Sequence, residues 1–105
     1  MMMSQNFNRR YSPNRRKTRV QATIEMDGAR IPGVIRDVSY EGMKLELPVQ
    51  IEPGTAITLR FLNQSVFAIV HWSRRNHAGV HLMQRLESKT LIALETAEDD
   101  LAEFR

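Results

Sequence analysis

From Val20 onward apolar and polar residues alternate, with Val20, Ala22, Ile24 and Met26 separated by Gln21, Thr23 and Glu25. A period of two puts successive side chains on opposite faces, so this segment reads as a strand buried on one face. Asp27-Gly28 follows, a hairpin turn signal because both residues tolerate positive φ. The return strand covers about 30–36, and Pro32-Gly33 within it predicts an edge position or a bulge. Met43, Leu45 and Leu47 alternate with Lys44 and Glu46 until Pro48 stops the strand, and Pro53-Gly54 marks the next turn. Ile57, Leu59 and Phe61 alternate with Thr58 and Arg60, with a connection at Asn63-Gln64. Residues 65–72 form a further strand ending in His71-Trp72, Ser73 to Ala78 read as a polar loop, and Gly79 to Gln84 close the β-region. About six short strands with no helix between them predict an antiparallel barrel or a small sandwich.

The period then changes. Leu91, Leu94, Ala97, Leu101 and Phe104 recur every three or four residues, a helical stripe. Ser88 is the expected N-cap, since a serine hydroxyl can accept an orphan backbone N–H. Glu95, Glu98, Asp99 and Glu103 fall on the opposite face. A helix with one apolar stripe must dock, and the barrel is the nearest apolar surface; docking on a partner is the rival reading. At the other end the first eight residues are polar apart from the methionines and Phe7, and Tyr11-Ser12-Pro13-Asn14 reads as a bend. The resulting division is a flexible tail over 1–14, a β-domain over 15–86 and a helix over 87–105.

A chain of 105 residues makes one domain, and its 42% hydrophobic and 26% charged residues fit a globular protein. The longest apolar run, Val66 to Val70, falls far short of the roughly 20 residues a membrane span needs. The opening MMMSQNFNRR has no apolar core of the kind a secretion signal carries, so the expected compartment is the cytoplasm. Without cysteine there is no disulfide, thiolate metal site or cysteine nucleophile. The net charge of +3 hides an asymmetry. Residues 1–20 hold Arg9, Arg10, Arg15, Arg16, Lys17 and Arg19 and no acid, whereas residues 86–105 hold six acids against Lys89 and Arg105. An arginine-rich arm suits a partner bearing phosphates or carboxylates, whose oxygens match the guanidinium fork in pairs.

Two short motifs carry candidate chemistry. Arg15 and Arg19 form the pattern R-x-x-x-R immediately before the first predicted strand. Asp37, Ser39 and Gly42 form D-x-S-x-x-G between the return strand and the next. Either alone is common: basic runs occur in tails, and Asp, Ser and Gly build ordinary turns, the glycine supplying positive φ. Together they place arginines and an acidic turn at one rim of a barrel. A carboxylate there can accept from the N1–H and N2–H₂ edge of guanine, while an arginine bonds O6 and N7 or stacks on the base. A second arginine with a hydroxyl or backbone N–H can hold phosphates.

With these two motifs, and with Val70-His71-Trp72 and Gly79-Val80-His81-Leu82 as a closing strand pair, the sequence resembles the PilZ domain family, bacterial receptors for cyclic di-GMP. The likeness covers residues 15 to about 85, with the last helix consistent with it. It implies a six-stranded antiparallel β-barrel with one C-terminal helix and a flexible arginine arm that wraps the dinucleotide against the rim. By the same resemblance Arg15 and Arg19 contact phosphates and guanine faces. Asp37 and Ser39 hold a guanine edge, and Gly42 lets the backbone approach. Arg16 or Arg10 could supply the extra arginine that the family often carries, and Trp72 is a further candidate contact if it lies near the rim. No cofactor is implied beyond the ligand, and a downstream protein partner is expected.

Other readings are weaker. A barrel binding RNA or single-stranded DNA through the basic arm should show several exposed aromatics, and only seven aromatics occur, mostly at core-like positions. A structural subunit that kept the motifs but lost binding is a third class. His71, His77 and His81 fit no zinc spacing, so no metal is expected. Arg74-Arg75 could extend a basic surface or merely be solvated. Asp37 and Ser39 two residues apart supply no oriented base, so no hydrolase and no other enzyme is read here.

Overall fold

The structure, a computed structural model, describes residues 16–103, with side chains as far as Ala97. The tail, Arg10, Arg15, the bend at 11–14, Phe104 and the side chain of Leu101 therefore lie outside the described residues. The strands are β1 (Arg16–Met26), β2 (Ala29–Val38), β3 (Gly42–Glu46), β4 (Ala56–Phe61), β5 (Gln64–Arg74) and β6 (His77–Leu82), followed by the helix α1 (Ser88–Glu103). All strand pairs are antiparallel, and they close a barrel in the order β1-β2-β3-β6-β5-β4. This is the expected fold class. Among the described residues no helix is long and apolar enough to cross a membrane.

The alternating pattern does what its period predicts. Val20, Ala22, Ile24, Ile35, Leu45, Leu59 and Val70 point into the barrel and are buried, while their sequence neighbours face out. Asp27 and Gly28 take φ of 48° and 79°, the left-handed pair a two-residue hairpin requires. The turn after β4 sits at Leu62-Asn63, one residue earlier than predicted, with φ of 48° and 63°. Pro32 pairs with Thr23 on β1, and β3 meets β2 only from Val34 on, so Pro32 occupies a local edge. The bulge in β2 falls later, between Ile35 and Asp37.

Three boundaries differ from expectation. The loop predicted over Ser73 to Ala78 shrinks to Arg75-Asn76, because Ser73 and Arg74 pair with Ala78 and His77. Buried Ala78 extends the inward face of β6. Secondly, β1 starts at Arg16 rather than Val20, so Arg16 to Arg19 belong to a strand and not to a free arm. The polar Thr18 concealed this: it faces inward and is buried, its hydroxyl donating to the carbonyl of Leu94 in α1 at 2.6 Å. Thirdly, the helix is not capped by Ser88. The amides of Thr90 and Leu91 both donate to the Glu87 carbonyl, making Glu87 the first helical acceptor, while Ser88 Oγ lies 3.3 Å from the Tyr40 hydroxyl.

Each barrel mouth is closed. At one, the crossover from β3 to β4 buries Leu47 and Ile51. At the other, where β1 begins and β2 turns into β3, α1 docks on β1 and buries Leu91 and Leu94. The helix therefore docks on the barrel. β1 pairs with β4 only over Thr23, Ile24 and Glu25. Among the described residues, Arg16 to Ala22 consequently have β2 as their one strand neighbour, with α1 against the same strand.

Candidate ligand-binding site

The Asp37 motif lies at the mouth that α1 closes. Ser39 is the hub of its turn. The Ser39 amide donates to the Gly42 carbonyl at 2.9 Å, and Ser39 Oγ accepts from the amides of Gly42 and Glu41 at 3.2 and 3.4 Å. The hydroxyl proton points at the Gly42 carbonyl at 3.4 Å, a weak contact. Gly42 does not have the positive φ expected of it. A Cβ there would lie 3.0 Å from the Val80 carbonyl, so β3 packs tightly on β6 at this position. Tyr40 fastens the turn to the segment that leads into the helix. Its carbonyl accepts from the Leu86 amide at 2.8 Å, and the Arg85 guanidinium lies 4.3 Å from its ring centroid.

Asp37 itself is half-buried on the outer face of β2. Bulges on both sides of it set its neighbours. On β1 three residue steps from Lys17 to Val20 face two on β2, so Thr18 and Arg19 together oppose Arg36. On β2 the bulge before Asp37 aligns Asp37 with Lys44 of β3. Asp37 thus pairs with Lys17 on one side and Lys44 on the other, and all three face outward. Arg19 is exposed two residues further along β1, a Cα separation from Asp37 of roughly 8 Å from ordinary sheet spacings. Lys17, Thr18, Arg36, Asp37, Lys44 and His77 line a concavity of about 240 Å³. Arg36 is anchored there by Glu46 at 2.7 Å.

The same row continues across the barrel. Lys44 pairs with Gly79 of β6, and Gly79 with Trp72 of β5. The indole lies directly over Gly79, where a Cβ would fall 2.1 Å from Nε1. Trp72 keeps 39% of its surface exposed, and with Lys44, Gly42, His71 and His81 it lines a second hollow of about 200 Å³. Lys44 borders both hollows.

The structure therefore brings Arg19, Asp37 and the Ser39 turn to one side of one mouth and puts Trp72 within the same outer row. Arg16 faces the other way and ion-pairs with Glu95 of α1. Sequence reasoning missed Lys17, Arg36 and Lys44. Alternation already puts Lys44 outward, but only the cross-strand register shows that it stands beside Asp37. Among the described residues no three His, Asp or Glu side chains converge as a metal site would require.

The described residues thus form a closed antiparallel β-barrel whose outer face sets the Asp37 carboxylate between Lys17 and Lys44. The chain matches the family described as PilZ domain over residues 7–97, most of its length, and belongs to that family, which comprises cyclic di-GMP receptors. A comparison with curated proteins gives no match.

Proposed function

We propose that the chain is a cytoplasmic, non-enzymatic receptor for cyclic di-GMP that passes its signal to a protein partner by a change in shape. One observation carries the reading most of the way: Asp37 is flanked by Lys17 and Lys44 on adjacent strands and has Arg19 beside it. A carboxylate set between cations suits a ligand that is anionic overall yet presents N–H donors, which a guanylate does. Asp37 accepts from the guanine N1–H and N2–H₂ edge, while Arg19, Lys17 and Lys44 face the two phosphodiesters. Ser39 shapes the turn and can redirect its hydroxyl proton to the ligand. A concavity of about 240 Å³ covers only part of a dinucleotide, since pockets that enclose a small ligand run to roughly 300–1,000 Å³. The remaining cover falls to Arg15 and the residues before it, with Arg10 a further candidate and Trp72 at the far end of the row.

A polynucleotide-binding role has less support. Among the described residues the exposed aromatics are Phe67 and Trp72, too few for a base-stacking track. Calorimetry with cyclic di-GMP, cyclic di-AMP and GTP tests the proposal. Cyclic di-GMP should bind tightest, and Arg19→Ala should weaken it by about 10- to 100-fold, the worth of one charge-assisted contact. No binding of cyclic di-GMP, or no preference for it over the other two, rejects the reading.

A further inference from the structure

Segment 16–19 has two faces with different commitments. Lys17 and Arg19 are exposed on the side of Asp37, whereas Arg16 and Thr18, two apart and on the opposite face, both engage α1. Thr18 donates to the Leu94 carbonyl at 2.6 Å, and Arg16 pairs with the carboxylate of the next residue, Glu95. The site and the helix thus draw on alternate residues of one short stretch, which among the described residues has β2 as its one strand neighbour. Its backbone also lies beside the Asp37 turn, Arg16 pairing with Val38.

We propose that Glu95 is an internal competitor for the ligand: it holds Arg16 in the unliganded chain, and a bound bis-phosphate takes this arginine over and loosens α1. The inference rests on the receptor reading above. Its physical basis is substitution of one oxyanion for another. A guanidinium serves a carboxylate or a phosphate equally well in geometry, so a phosphodiester arriving at the rim can replace Glu95. The pair is fit to be replaced, because Arg16 and Glu95 keep 38% and 33% of their side-chain surface in water. Pairs so exposed contribute little to stability. Among the described residues, Thr18 and the burial of Leu91 and Leu94 still hold α1 at this point when the pair is lost.

The test is a double-mutant cycle in the full chain, read by calorimetry with cyclic di-GMP. Glu95→Gln should raise affinity about two- to fivefold, the range an exposed ion pair supports. In an Arg16→Gln background the same change should bring no gain. Glu87→Gln, an exposed acid beside the same helix, should leave affinity unaltered. No gain from Glu95→Gln, an equal gain without Arg16, or an equal gain from Glu87→Gln overturns the proposal. Hydrogen exchange adds a second arm: ligand should speed exchange at Leu91 to Glu95, and Glu95→Gln should speed it without ligand. Slower or unchanged exchange there on binding overturns the loosening of α1. Failure of the wild-type chain to bind at all strikes the receptor reading instead, so the two failures are distinguishable.

Discussion

Removing the Asp37 carboxylate should change which base the site prefers more than how strongly it attracts anions. In Asp37→Ala, a guanine ligand loses two donors' worth of charge-assisted hydrogen bonding. At about 1.5–3 kcal/mol per bond, and with the two bonds sharing one carboxylate, about 3 kcal/mol is a fair total. Lys17 and Lys44, however, pair with Asp37 from both sides, and without it they act on the phosphates unopposed. A pair of unit charges roughly 5–8 Å apart near water is worth about 0.5–1 kcal/mol. The net expectation is a loss of about 2 kcal/mol for cyclic di-GMP, roughly 30-fold. Cyclic di-AMP, which lacks the N1–H and N2–H₂ donors, should gain a few-fold instead. Guanine selectivity therefore falls roughly 100-fold, with Asp37→Asn intermediate. Calorimetry with both ligands, repeated at two salt concentrations, measures this. Equal loss for both ligands, or unchanged selectivity, would refute the assignment of Asp37 to the base.

Two further expectations concern the scaffold. Thr18→Val removes a buried donor to the Leu94 carbonyl and should cost about 1 kcal/mol, lowering Tm by about 4–6 °C; a melt unchanged within error contradicts the role given to that bond. Gly79→Ala pushes a methyl into the indole of Trp72, so the ring must swing outward. Its fluorescence should shift to the red, with a destabilisation of about 1–3 kcal/mol that Trp72→Ala relieves.

The barrel was legible because each strand repeats one physical instruction, an apolar residue at every second place, and the turns carry residues that accept left-handed φ. Reading failed where that instruction was interrupted. Thr18 broke the apolar rhythm although it faces inward, so the arginine pair looked like a leader when its second half is strand. Ala78 was assigned to a loop because polar residues precede it. In the site, Asp37, Ser39 and Arg19 could be named from spacing along the chain, whereas Lys17 and Lys44 could not. Their nearness to Asp37 depends on two bulges, and a bulge resets register without a fixed signature. Arg16 shows the same limit: nothing local in the sequence points from residue 16 to Glu95.

The short seam between β1 and β4 bears on how such a protein can respond at all. A fully laced barrel yields only by melting as a whole, which no small ligand could drive. Here the first seven residues of β1 lie outside the seam, and the leading four, Arg16 to Arg19, are held by the β2 ladder and the helix contacts while Thr23 to Glu25 tie β1 to β4. An opening confined to Arg16–Arg19, short of buried Val20 and Ala22, would leave the apolar interior covered, and local openings of this kind lie below the free energy of complete unfolding.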